Sequence, residues 1–227
     1  MSGTVAPYIT RNGLIMCLDA GNIKSYPKSG TSWRDLSNQN INYSLINGPT
    51  YDTANGGNIL FDGSDDYVEP STDFVISTGP RTIFFWIKST DDTTIRGIIG
   101  ARVSTTGWGL AHNYGLPGRI LYFHQNPGGG SIDSLGYDIT LNEWNNYAIT
   151  YDSTSGIMKL YKNGVYAKQT TGNGDGVTTS ATKIRVGSGS GHGQFKGNIG
   201  LVHAYNRALS DSEISQNYRA TKIRYGL

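Results

Sequence analysis

The sequence has one cysteine, three glutamates, no run of basic residues and no long apolar segment. A single thiol excludes an internal disulfide, and Cys17 lies in the apolar run Leu14 to Leu18, where a buried, inert thiol is expected. No stretch approaches the roughly 18 consecutive apolar residues of a membrane span. Met1 to Asn12 lacks an apolar centre flanked by basic residues, so the chain is expected to be soluble and to carry no export signal of its own. Charged residues make up only 16%, the formal net charge is +2, and no Lys/Arg cluster makes a local exception. Such a surface has little to hold a phosphate backbone, and nucleic acid is not an expected partner.

Catalytic patterns are also missing. His112, His124, His192 and His203 have no metal-binding spacing, and no G-x-S-x-G elbow or phosphate-cradling glycine loop is present. Glycoside hydrolysis needs two carboxylates about 5 to 10 Å apart, most simply placed at i and i+2 of a strand. Glu69 and Glu143 have no acidic residue two positions away, and Glu213, which has Asp211 there, lies in the expected capping box of a helix rather than on a strand. The chain is not expected to be an enzyme.

What the sequence has in quantity is glycine, 31 residues of it in 227, between short runs of β-branched, aliphatic and aromatic residues. That pattern predicts many short strands joined by tight turns. Expected strands include Gly13 to Asp19, Ile59 to Phe61, Ile95 to Ala101, Trp108 to Asn113 and Arg119 to Gln125. Thr82 to Lys88 is almost continuously apolar and should be a central strand covered on both faces. Trp144 to Tyr151, Ile157 to Lys162 and Val165 to Gln169 form an antiparallel meander. Its second turn, Asn163-Gly164, is of type I′, which needs positive φ at both positions. Leu116 to Gly118 and Asn126 to Gly130 read as exposed turns, Gly172 to Ser180 as a loop and Gly187 to Gly193 as a connector. Around a dozen such strands without alternating helices make an all-β, antiparallel two-sheet sandwich.

The end of the chain, Lys196 to Tyr218, contains a strand, a turn and a short helix. Ser210 is a helix cap, Glu213 completes a capping box, and Leu209 can staple onto Ile214. Ile199, Val202, the run Tyr205 to Ser210, Glu213 and Ile214 together resemble the closing motif of concanavalin A-like, laminin G-like jelly-roll domains. "L-D-A-G-N" near the start, "S-W-R-D-L-S", "F-D-G-S-D-D-Y-V", "W-N-N-Y-A-I-T-Y-D" and "L-Y-K-N-G" resemble the same family. The family usually has an acidic residue directly after the first Ile of the closing motif, where this chain has Gly200.

The resemblance implies a concanavalin A-like jelly roll over residues 13–227, behind an N-terminal arm of residues 1–12, with one short C-terminal helix. It also implies first and last strands side by side, so Leu14 to Leu18 should pair with Ile199 to Tyr205. A stand-alone copy of such a domain looks like a virion surface protein of a tailed phage, a capsid decoration or tail-associated module. The alternative is a lectin-like carbohydrate-binding module of a cell-surface or matrix protein. Expected partners are other virion proteins or cell-surface glycans, with homo-oligomerisation compatible with either. Trp108, His112, Asn113, Tyr114, Tyr122 and His124 form the expected glycan platform, because aromatic faces suit sugar C–H surfaces and planar polar groups suit hydroxyls. Asp62, Asp65 and Asp66 around Gly63 are the expected ligands for calcium, which favours hard oxygen donors.

Overall fold

The computed structural model describes residues 8–74, 76, 79–91, 93–103, 106–113, 119–125, 132–172, 183–188 and 192–227. Its strands are β1 (Leu14–Asp19), β2 (Ser32–Arg34), β3 (Asn42–Ile46), β4 (Thr50–Asp52), β5 (Asn58–Asp62), β6 (Tyr67–Pro70), β7 (Arg81–Ser89), β8 (Arg96–Val103) and β9 (Thr106–His112). Next along the chain are β10 (Arg119–Gln125), β11 (Ile132–Asp138), β12 (Asn145–Tyr151), β13 (Ile157–Lys162), β14 (Val165–Thr171), β15 (Arg185–Val186), β16 (Gly193–Gln194) and β17 (Lys196–Tyr205). Helix α1 (Asp211–Thr221) and a 3₁₀ turn, Lys222–Tyr225, close the chain.

Two sheets result. The first runs β14-β13-β12-β7-β17-β5-β4, with β1 also on β17. The second runs β11-β10-β9-β8-β15-β6-β3-β2, with β16 on β8. Except for the β16–β8 pair, every ladder between named strands is antiparallel. This is the expected jelly-roll sandwich. β7 is central as its apolar run predicts, with β12 on one side and β17 on the other. The expected first-to-last pairing is also present, Leu14 opposite Tyr205 and Leu18 opposite Val202. Asn163 and Gly164 have φ of 51° and 74°, as a type I′ hairpin requires.

The sequence reading missed β2, β3, β4, β11 and β16. β2 to β4 are three to five residues long and rich in Ser, Asn and Thr, and β16 has two residues, so their extended form comes from a neighbour's ladder rather than from local pattern. The turns expected at residues 116–118 and 126–130 lie outside the described residues, as do residues 173–180 of the expected loop and 189–191 of the connector. Within the expected arm, Thr10 is tied to the end of the chain. Asn217 accepts the Thr10 N–H at 2.7 Å, and the Tyr205 hydroxyl donates to the Thr10 carbonyl at 3.0 Å.

The main core fills the space between the sheets, with Trp33, Tyr43, Phe61, Phe85, Trp108, Tyr147 and Val202 among its members. A second cluster lies on the outer face of the first sheet, where Phe84, Trp86, Ala148, Tyr161, Leu201 and Tyr205 meet Leu209, Ile214 and Tyr225 from the chain's end. Cys17 belongs to this second cluster, and burial pushes its thiol up to about 12, so it is inert at neutral pH.

Helix α1 starts where its caps dictate. Ser210 accepts the Glu213 N–H at 3.3 Å, and Glu213 accepts the Ser210 N–H at 2.9 Å. Arg207 adds a second donor to the Glu213 carboxylate at 2.9 Å, and Leu209 and Ile214 are buried together below. After α1 the chain folds back, and Tyr225 stacks on Trp86 with ring centroids 4.1 Å apart. Such a pair contributes about 0.5–1.5 kcal/mol beyond its buried area.

Tyr225 explains Gly200. The ladder between β17 and β7 shifts register between Ile199 and Leu201, which makes Gly200 a bulge. Any Cβ at Gly200 would collide with the Tyr225 ring and hydroxyl. The Gly200 carbonyl meanwhile accepts from Ala20 N–H at 3.0 Å and Arg224 at 2.9 Å. An acidic side chain at this position would have to enter space that the chain's own C-terminal turn fills.

Substitutions at these contacts should have measurable costs. Gly200→Ala should cost about 1–3 kcal/mol by overpacking, with partial recovery when Tyr225→Phe removes the struck hydroxyl; unchanged urea midpoints would dissociate the two residues. Ser210→Ala should cost about 1 kcal/mol. Acid should destabilise the fold in two windows. Burial pushes His203 down to about 4 from 6.5, so its protonation opposes folding as pH falls between those values. Arg207 and the cap hold Glu213 down to about 2 from 4.5, so that stability is full above 4.5 and is lost as pH falls towards 2. Melting against pH should show a weaker dependence below 4.5 in Glu213→Gln.

Candidate functional site

The expected aromatic platform is corrected by burial. Trp108 and His112 are fully buried and Asn113 nearly so. The Trp108 indole N–H donates to the Ile76 carbonyl, and Arg81 lies over its ring at 5.5 Å. Asn113 donates to the carbonyls of Thr94 and Asp91 at 2.8 and 3.1 Å. These three residues are interior struts, not a surface for sugar. Tyr122 and His124 stand on β10 opposite Leu110 and Trp108; their side chains, and all of Tyr114, lie outside the described residues. The signal was legible in T-G-W-G-L-A-H, where Trp108, Leu110 and His112 alternate with small residues and so share one inward face.

Ser89 Oγ and His112 Nδ1 stand 2.9 Å apart, the contact of a nucleophile and its base. Both are buried inside the sandwich, so the pair bonds the ends of β7 and β9 and presents no hydroxyl to a substrate. Two of the three glutamates are committed elsewhere. Burial would raise the Glu69 carboxyl, but Lys183 and Arg185, each 3.0 Å away, outweigh it and hold the group below its usual range. Glu213 is the cap described above.

The Asp62-to-Asp66 corner is different. β5 alternates Ile59 and Phe61 inward with Leu60 and Asp62 outward, and Leu60 remains 40% exposed. Thr50 of β4 and Asn198 of β17 stand opposite Leu60, and Lys196 stands opposite Asp62. The left-handed Asn47-Gly48 turn, at φ of 66° and 118°, brings the Asn47 amide to the Asp65 carbonyl at 3.1 Å. Asn47, Thr50, Asp62, Asp66, Thr90 and Lys196 thus border a cleft of about 330 Å³ beside Leu60. The C-terminal turn covers the middle of this sheet face and leaves the corner open.

Asp62, Asp65 and Asp66 each bring an oxygen within 4.8 Å of the other two. Ser64 N–H bonds hold the Asp62 carboxyl below its usual range, whereas burial and the two neighbouring carboxylates push Asp66 up. Their charge and convergence fit a hard divalent cation. The same groups also serve the corner itself. Asp66 accepts the Asp62 N–H at 2.9 Å, and the Gly63 carbonyl is already taken by Arg96, so water would have to complete a cation's shell.

These features define a jelly-roll sandwich with a polar rim cleft and a Ser89–His112 pair closed off in its interior. Residues 62–215 match the family model of the concanavalin A-like lectin/glucanases superfamily, laminin G type 3, and the chain belongs to that family. No curated protein matches the chain. The botulinum neurotoxin serotype D ligand binding domain, solved in complex with N-acetylneuraminic acid, is similar at a TM-score of 0.74 and 18% identity, over 94% of this chain and 54% of that one. The binding domain of botulinum neurotoxin DC in complex with SialylT gives 0.73 and 14%, over 93% and 52%. The receptor binding domain of type G gives 0.70 and 15%, over 92% and 51%. This chain spans about half the length of those structures, and at such identities the likeness shows the fold.

Asp66→Asn keeps an oxygen for the Asp62 N–H while removing a crowded charge. In EDTA at pH 7 it should melt no lower than the parent protein, and in millimolar calcium it should melt lower. Equal calcium responses in the two proteins would assign the three carboxylates to the corner alone.

Proposed function

We propose that this chain is a non-catalytic carbohydrate-binding module whose ligand sits in the Asp62-to-Asp66 corner cleft. The observation that carries the reading is the makeup of that cleft. Carboxylates accept from sugar hydroxyls, Asn47 and Lys196 donate to them, and Leu60 gives an apolar surface for a ring's C–H face. Membership of a family of lectins and glucanases supports carbohydrate as the ligand class. The commitments of Glu69 and Glu213 support binding over hydrolysis. Calcium at Asp62, Asp65 and Asp66 would order the corner and could accept sugar hydroxyls directly.

The placement on a tailed-phage particle expected from the sequence draws no support from the family or the similar structures. The binding reading is the same on a virion surface or among extracellular glycans. Recovery of the protein in purified particles, or with cell-surface material, separates the two settings.

A glycan array should show retention on neutral oligosaccharides. Asp62→Asn combined with Asn47→Ala should weaken that binding at least tenfold without lowering the melting midpoint by more than a few degrees. A blank array, or retention unaltered by both substitutions, overturns the site; release of sugar from an oligosaccharide overturns the non-catalytic reading.

A further inference from the structure

A second cleft, about 460 Å³ in volume, lies between the Asn22-to-Pro27 turn and β2. Lys24 and Arg34 project from its two sides, and both are exposed. Neither makes an ion pair or a side-chain hydrogen bond among the described residues. Four other arginines are paired, Arg96 with Asp91, Arg185 with Glu69, Arg207 with Glu213 and Arg224 with Asp19, whereas Arg11 and Arg219, like Arg34, are exposed and in no ion pair among the described residues. The carboxylate next in sequence to Arg34 gives no relief. Asp35 is buried and accepts from the Cys17 N–H, the Ser37 N–H and the Ser37 hydroxyl. Asp19, at the start of the turn, is held by Arg224.

The backbone that carries the two cations is held in a fixed frame. The Asn22 carbonyl accepts from Ser25 and Tyr26 N–H groups, both at 2.8 Å, and the Asn22 side chain accepts the Lys24 N–H at 3.0 Å. Ser25 then clasps Arg34 twice: its carbonyl accepts the Arg34 N–H at 2.8 Å, and its hydroxyl donates to the Arg34 carbonyl at 2.6 Å. Ile23, 66% exposed, lines the cleft with Pro27 and Leu36, and Ser32 adds a hydroxyl. Tyr26 and Trp33 are buried beneath, so the cleft offers no aromatic ring to a nucleobase.

We propose that this cleft binds an oxyanion-bearing sugar, its carboxylate or sulfate on Arg34 and Lys24 and its ring against Ile23, Pro27 and Leu36. A guanidinium fork matches such oxyanions in two-point geometry, and the ammonium adds a point charge. The frame lowers the ordering cost of capture. The inference rests on the carbohydrate-binding reading and extends it to acidic glycans at a second place in the molecule.

The test is titration of the whole chain, followed by calorimetry or backbone NMR shifts, with a galacturonate oligomer, a sulfated galactose oligomer, a neutral galactose oligomer of equal length and inorganic sulfate. Either acidic oligomer should bind at least tenfold more tightly than the neutral one or sulfate, and weaken as salt rises; which of the two is tighter identifies carboxylate or sulfate. Arg34→Gln should weaken binding at least tenfold, Lys24→Gln about threefold, and Arg34→Lys should not restore it. Both exposed substitutions keep the backbone clasp, and melting confirms the fold. Acidic binding that survives Arg34→Gln and Lys24→Gln overturns the proposal, as does sulfate binding as tightly as the oligomers, which reduces the cleft to an adventitious ion only. Neutral glycans bound at the corner without acidic binding here overturn this inference and leave the carbohydrate reading standing; an absence of both overturns both.

Discussion

The close approach of Tyr225 to Gly200 is the contact on which the rest of the architecture depends. β17 carries β7 along one edge, while its other edge is divided between β5, up to Ile199, and β1, from Leu201 onward. Gly200 is the bulge where that division falls, and the bulge turns Leu201 to the outer face while Ile199 and Val202 stay in the main core. Only a residue without Cβ leaves room there for the Tyr225 hydroxyl. Arg224 fixes the approach by bonding the Gly200 and Gly57 carbonyls and pairing with Asp19, so three distant parts of the chain meet at one glycine.

This closure gives a sandwich with one sheet face covered by its own chain. Helix α1 and the turn after it bury Trp86, Leu201 and Tyr205, which would otherwise form an exposed apolar patch large enough to invite association. The cover ends short of β4 and β5. Leu60, Thr50 and Asp62 therefore stay open, and the corner where they meet Asn47, Thr90 and Lys196 is available to a ligand. Position of the cover, more than any single side chain, decides which part of this face stays exposed.

The two clefts differ in charge for reasons visible in their partners. At the Asp62 corner three carboxylates crowd together, and Arg96 is directed to a backbone carbonyl and to Asp91 rather than to them. Beside β2 the local carboxylates face inward or are paired, which leaves Lys24 and Arg34 without a counter-charge among the described residues. One cleft suits hydroxyls and hard cations, the other oxyanions, although the chain as a whole is nearly neutral.

Local signals sufficed wherever a structure is made by neighbours in sequence. Asn163-Gly164 specified its hairpin, Ser210 with Glu213 specified the start of α1, and the apolar run of β7 specified a strand covered on both faces. The family motif extended this to the pairing of β1 with β17. The three aspartates were legible as a group because a tight turn keeps them adjacent. The aromatic cluster was misread because residue type says nothing about which face of a strand points inward, and Trp108 and His112 point into the core. The remaining groups of the corner, from Asn47 to Lys196, and the Lys24 and Arg34 pair come from segments far apart in sequence or separated by a loop. Their convergence, and the lack of a counter-charge for the pair among the described residues, are products of sheet register and chain closure, which tertiary structure alone decides.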